Sequence, residues 1–336
     1  MGNHTMRAMQ LVVPSDIEEN PLQITHLPVP KPGPGQLLLQ VNVCGICHTD
    51  LHIVEGELIA PHLPLAPGHQ AVGSIAAAGS GVQGWTVGDR AGIPWFYDAC
   101  GTCSFCRAGR ENLCPDARFT GFSVDGGFAD FMITEADTTL HLPGRLSDQQ
   151  TAPLLCAGII GYRSLRLSEL QEGERLGLVG FGASAHLVIQ IAHSRDCEVY
   201  VFTRSDGHRK MAAELGAAWV GGLEDKPPSF VDRAILFAPA GNLVGPTLEK
   251  IRPAGTLAVN AVYMTPIPEL DYSLLYGERT IRSVSNAVYQ DGVDLLEIAG
   301  SIDLEPETTE YPLEDANLAL QDLKASRING AGVLIL

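Results

Sequence analysis

Nine residues, Cys44-Gly-Ile-Cys47-His48-Thr49-Asp50-Leu-His52, carry two thiols, two imidazoles, a hydroxyl and a carboxylate. Such a set offers soft metal ligands, a carboxylate able to orient one of them, and groups that exchange protons near neutral pH. Read alone, Cys44-x-x-Cys47 could equally be a redox pair or half of a structural metal knuckle, with His48 and His52 as surface residues. A second cluster runs Cys100-x2-Cys103-x2-Cys106-x7-Cys114. Its two-residue spacers let the chain turn and point successive sulfurs at one tetrahedral ion. Four thiolates leave no open coordination position, which suits a structural zinc; buried reduced thiols or an iron–sulfur cluster are the alternatives.

These residues need a scaffold, and 336 residues at 45% hydrophobic content can bury one or two cores. No apolar run reaches the roughly 18 residues of a membrane span. The N-terminus lacks the basic-then-apolar layout of a secretory signal, so the expected compartment is the cytoplasm. There, eight cysteines in clusters favour metal binding over disulfides. A net charge of −17 without any basic run argues against nucleic acid as a partner.

Residues 7 to about 150 are rich in proline and glycine and read as short strands and turns. Gln36-Leu-Leu-Leu-Gln-Val-Asn-Val43 is a strand leading into the nine-residue stretch. From about Pro153 strands and helices alternate. Leu176–Gly180, Glu198–Phe202, Arg233–Ala238, Gly255–Val259 and Arg279–Val284 are the strand candidates; Leu187, Val188, Ile191 and Ala192 form a helical face. This alternation predicts a doubly wound parallel sheet. The expected plan is a β-rich domain over 1–155 and 286–336, with a metal lobe near 95–115, and a dinucleotide-type domain over 156–285.

Taken together, Gly45-Ile-Cys47-His-Thr-Asp50, Pro67-Gly-His69-Gln70, the four-cysteine lobe, Leu155-Cys156-Ala-Gly158 and Gly180-Phe-Gly182-Ala-Ser-Ala185 are specific. The chain resembles the zinc-dependent alcohol dehydrogenases of the medium-chain dehydrogenase/reductase superfamily over nearly its whole length. That resemblance implies a GroES-like β-rich catalytic domain plus a Rossmann domain. It also implies two zinc ions per chain and a nicotinamide cofactor. A catalytic zinc is implied at Cys47, His69 and Cys156, the Cys₂His set known for alcohol dehydrogenases, and a structural zinc at Cys100, Cys103, Cys106 and Cys114. Two thiolates cancel the dication and leave a fourth position for the substrate oxygen, where an alcohol loses its proton more easily. By the same resemblance Thr49 takes the alcohol proton, which passes through the cofactor ribose to His52, and His52 exchanges it with solvent. Asp50 orients the ligand histidine, and His48 contacts the cofactor pyrophosphate. Cys44 has no such role and reads as a packed thiol. Three positions depart from the family pattern: Gln70 replaces a glutamate behind the metal, Ile160 a threonine, and Ala331 an arginine.

Gly180-x-Gly182-x-x-Ala185 follows a strand and opens a helix, the context that a dinucleotide fingerprint requires. After the next strand, Thr203 stands where an NAD enzyme usually has an acid. Arg204, Ser205 and Arg209 could instead meet a 2′-phosphate, so the reading leans to NADP, with NAD the alternative. The expected activity is interconversion of small alcohols with aldehydes or ketones by hydride transfer. The rivals are a polyol dehydrogenase or other zinc enzyme of the superfamily, and a catalytically silent protein on the same fold. A homodimer or homotetramer is expected, as in relatives, with a small alcohol or aldehyde as substrate and no membrane association.

Overall fold

A computed structural model describes residues 5–328 and 330–336 of the chain. It divides into two units. The first holds the chain up to Cys156, Val288–Ser301 and Glu305–Leu336; the second holds Ala157–Ala287 and Ile302–Leu304. Relative to the boundaries read from sequence, Cys156 moves into the first unit, and residues 286–287 and 302–304 move into the second.

The first unit is built on a seven-stranded sheet. Its order is Thr308–Pro312, Ala331–Ile335, Gln36–Gly45, Ala71–Ala78, Arg90–Ile93 and Leu140–His141, with Phe131–Glu135 also paired to Gln36–Gly45. In the central strand Leu37, Leu39 and Val41 are buried while Gln40 and Asn42 face water, the period-2 pattern of a half-buried strand. These residues join Phe128, Ile53 and Leu65 in one core. The last strand of the chain lies antiparallel to the end of Gln36–Gly45, with Leu334 opposite Cys44 and Val333 opposite Gly45. The C-terminus therefore braces the strand that delivers the nine-residue stretch.

Six parallel strands form the second unit: Arg175–Val179, Glu198–Phe202, Trp219–Gly221, Val231–Leu236, Ile251–Val259 and Thr280–Ser283. They lie in the order third, second, first, fourth, fifth, sixth, which is the Rossmann arrangement. Leu176, Leu178, Val199, Val201, Ile235 and Leu257 are all fully buried, as expected of a sheet covered on both faces. The helix Ala185–His193 buries Leu187, Val188, Ile191 and Ala192, the face expected from their spacing. No helix among the described residues is long and apolar enough to cross a membrane.

One residue of that helix is out of keeping with its surroundings. His186 is 1% exposed, and neither ring nitrogen has a hydrogen-bond partner among the described residues. Burial drives its pKa down from 6.5 to about 4, outweighing the nearby carbonyls of Gly182 and Ala183. Since the folded value lies below the unfolded one, the unfolded chain binds the extra proton first. Stability from this group is thus complete above about pH 6.5 and is lost as pH falls towards 4, by about 3 kcal/mol at most. In urea unfolding at pH 7.5 and pH 5, His186→Leu is expected to lose less stability on acidification than the parent chain does.

Candidate active site

The nine-residue stretch folds as the end of a strand followed by the short helix His48–Val54. Cys47 caps that helix in an extended conformation (φ −147°, ψ 179°), and its sulfur accepts the Thr49 N–H at 3.3 Å. Asp50 closes the box by accepting the Cys47 N–H at 2.9 Å. The same carboxylate, fully buried, also accepts the Gly68 N–H at 3.1 Å and faces His69 Nδ1 at 3.0 Å. Gly68 has φ +98°, and a Cβ there would lie 2.4 Å from the Phe128 ring and 2.9 Å from Cys44 Sγ. Only glycine admits this turn, and the turn presents His69.

With Nδ1 committed to Asp50, His69 has Nε2 left, 3.2 Å from Cys47 Sγ. Cys156, just after the 3-10 turn Ala152–Leu155, brings its sulfur to 3.9 Å from that of Cys47. Tetrahedral zinc, with bonds of about 2.3 Å to sulfur and 2.0–2.1 Å to nitrogen, holds two sulfurs about 3.8 Å apart and sulfur and nitrogen about 3.6 Å apart. The sulfur pair matches this spacing, and the sulfur–nitrogen pair would open by about 0.4 Å to hold such an ion. The hydrogen bond from Cys156, aided by His69, holds the Cys47 thiol well below its ordinary range despite burial. Cys156, the donor of that bond and partly buried, is pushed well above it. Burial disfavours charge on His69, but Asp50 and Cys47 prevail and raise it to about 10. Because a metal needs thiolates and a neutral imidazole, its uptake displaces protons from Cys156 and His69 and weakens in acid.

The four cysteines of the lobe also converge, with sulfurs 3.5–3.9 Å apart in the pairs Cys103–Cys106, Cys100–Cys114 and Cys100–Cys106. The Cys103 N–H points at Cys100 Sγ (3.4 Å) and the Cys106 N–H at Cys103 Sγ (3.5 Å). Such backbone bonds stabilise thiolates, and those from Thr102 and Cys103 draw Cys100 down to about 6.

Other expected residues lie as follows. Thr49 is half-buried and His48 exposed; His52 pairs through Nδ1 with Glu57. Cys44 is fully buried, its thiol directed at the Gly45 carbonyl at 3.6 Å. Gln70 is 2% exposed, and its Nε2 has no partner among the described residues. Trp95 and the His69 ring stand nearly perpendicular, with centroids 5.0 Å apart, and Trp95 is backed by Phe119 and Phe122. Sequence reasoning missed these two phenylalanines and Glu57. The phenylalanines carry no local signal, whereas Gly56, just past a helix end, signalled the reversal that brings Glu57 back.

In the second unit Gly180 takes φ +88°, and a Cβ would lie 3.0 Å from the Ala238 N–H nitrogen. At Gly182 nothing lies within 4 Å of an added Cβ, so its surface is open to a ligand. Ala185, fully buried, begins the helix. Thr203 is nearly buried at the end of Glu198–Phe202, its carbonyl accepting Arg209 Nε at 3.0 Å. Ser205 caps the next helix through the His208 N–H, and Arg204 is exposed.

Comparison with known proteins places the chain. Residues 33–144 match the alcohol dehydrogenase GroES-like domain family. The chain is 46% identical to a probable alcohol dehydrogenase, AdhA, of Mycobacterium tuberculosis (strain CDC 1551 / Oshkosh), over 99% of this chain and 98% of that protein. It is 33% identical to an alcohol dehydrogenase of Geobacillus stearothermophilus, over 93% of this chain and 95% of that one. Among solved structures, a cinnamyl alcohol dehydrogenase of Sorghum bicolor is similar with a TM-score of 0.90 and 27% identity, covering 99% of this chain and 98% of that one. The chain belongs to the zinc-type alcohol dehydrogenases of the medium-chain dehydrogenase/reductase superfamily. It is an oxidoreductase that interconverts alcohols and carbonyl compounds.

If Asp50 holds His69 ready for a metal, Asp50→Asn should weaken metal retention by about 10- to 100-fold. Competition with a chromogenic chelator measures this, and circular dichroism checks that the variant folds.

Proposed function

We propose that the chain reduces small aldehydes and ketones, and oxidises the corresponding primary or secondary alcohols, with zinc at Cys47, His69 and Cys156. The observation that carries this reading is the convergence of those three donors within 4.8 Å of one another, with Asp50 behind His69. Zinc in such a set supplies a Lewis acid that polarises the substrate oxygen. A second ion, held by Cys100, Cys103, Cys106 and Cys114, is structural, because four thiolates leave no place for a substrate.

The residues of the chain divide the remaining work. The Thr49 hydroxyl accepts the proton of the alcohol, and His52 hands it to water. Asp50 keeps the proton of His69 on Nδ1. The aromatic wall of Trp95, Phe119 and Phe122 excludes water beside His69 and favours apolar substrate groups. Gly180 and Gly182 let a pyrophosphate approach the backbone before the helix Ala185–His193, while His48 offers it a basic contact. Thr203 offers no acid to an adenosine ribose, and Arg204 and Arg209 favour a 2′-phosphate, so NADP is the preferred cofactor and NAD the lesser one.

We further propose a homodimer, or a homotetramer built from it, through the outer edge of Thr280–Ser283. Among the described residues this strand pairs on one side only, and exposed Tyr272 and Tyr276 lie in the same unit. A cytoplasmic setting suits eight cysteines that form no disulfide.

Absorbance at 340 nm with NADPH and NADH against a panel of aldehydes tests the central claim. Turnover is expected, and its absence with every aldehyde in zinc-replete protein would defeat the reading. Purified protein should hold about two zinc ions per chain. Thr49→Val should lower kcat by about 100-fold. The double change Arg204→Ala and Arg209→Ala should raise KM for NADPH by about 10-fold and leave that for NADH nearly unchanged.

A further inference from the structure

We propose that Glu57 is a positioning residue that fixes the tautomer of His52. The inference rests on the reading of His52 as the group that hands the substrate proton to water.

His52 Nδ1 meets the Glu57 carboxylate, and the His48 ring is 6.4 Å from the His52 ring between centroids. A carboxylate accepts and has no hydrogen to give, so the pair places the ring hydrogen on Nδ1 and leaves the lone pair on Nε2. Nε2 then receives the incoming proton, the ring passes through the imidazolium, and one proton leaves to water. No electrons move in this step.

The contact is built into the chain path and is not a chance meeting of two loose side chains. The helix His48–Val54 ends with the Glu55 N–H on the Leu51 carbonyl and the Gly56 N–H on that of Ile53. Gly56 turns the chain back at φ +78°, with Pro14 packed where a Cβ would point. The Leu58 N–H then bonds the carbonyl of His52 itself at 3.0 Å, which sets Glu57 beside the imidazole. Glu55 anchors the turn from below, accepting the Ile17 N–H at 3.1 Å and Lys324 Nζ at 2.7 Å. The His52 side chain is 25% exposed and that of Glu57 62%, so the pair is open to bulk water.

Ring nitrogen shifts of His52, recorded by long-range proton–nitrogen NMR on the full zinc-loaded chain, read the tautomer directly, and His52→Gln identifies the signals. The parent should show the Nδ1–H form, and Glu57→Ala should lose that preference. Glu57→Gln, which can accept from Nδ1 but can equally donate to it, should fall between. The kcat for alcohol oxidation should drop about 3- to 10-fold in Glu57→Ala with KM unchanged. An Nε2–H form in the parent, or the same tautomer in Glu57→Ala, would overturn the proposal even if His52→Gln is slow. An undiminished kcat in His52→Gln would overturn the relay on which it rests, while the NMR result still decides the contact.

Discussion

A single buried carboxylate holds the catalytic unit in register. Asp50 receives the N–H of Cys47, the N–H of Gly68 and Nδ1 of His69, and so joins two chain segments about twenty residues apart. A carboxylate without water is costly unless its lone pairs are filled, by several kcal/mol in practice. Burial accordingly pushes its pKa up, while His69 pulls it back. The arrangement is stable only when all three donors are present. The cap of the short helix, the glycine turn at 68 and the tautomer of the histidine are therefore set together.

Much of the fold was legible because it is local. The strand Gln36–Val43 and the helical spacing of Leu187, Val188, Ile191 and Ala192 could be read from neighbouring residues, and the structure buries those apolar side chains, with Ala185, His186 and Ile189 of the helix as well. Strand limits were less legible. Arg233–Ala238 reads as a mostly apolar run, but the strand is Val231–Leu236, and Phe237 and Ala238 both give their N–H groups to the carbonyl of Val179, the last residue of the adjacent strand. Likewise Ile251–Val259 begins four residues before Gly255. Pro253 and Gly255 suggest a turn, yet Val231 pairs with Ile251 across an irregularity in register. A neighbouring strand decides both limits, and no window of sequence contains it.

The site divides in the same way. The nine-residue stretch shows which groups are available, and the spacing of the lobe cysteines shows that they can converge. What it leaves out is every partner recruited by a reversal of the chain. Phe119 and Phe122 reach Trp95 through the folding of the lobe, and Glu57 reaches His52 through a glycine turn. The single-residue substitutions were visible in sequence, but their surroundings were not. Gln70 is sealed in with an unpartnered amide nitrogen, and Ala331 is buried within the final strand, bonded through its N–H to Glu307.

The two ligand sets also differ in how much chain each must close. Cys100 and Cys114 are 14 residues apart, whereas Cys47 and Cys156 are 109 apart. Loop-closure entropy grows as the logarithm of length, so the wider set costs about 2 kcal/mol more to assemble from an unfolded chain. Its third member, His69, also depends on a turn that only the packed Phe128 and Cys44 define. The lobe can thus gather its sulfurs early, on a nascent or partly folded chain. The other set of donors needs the sheet to be in place, so the sulfurs of the lobe face the lower entropic cost of coming together.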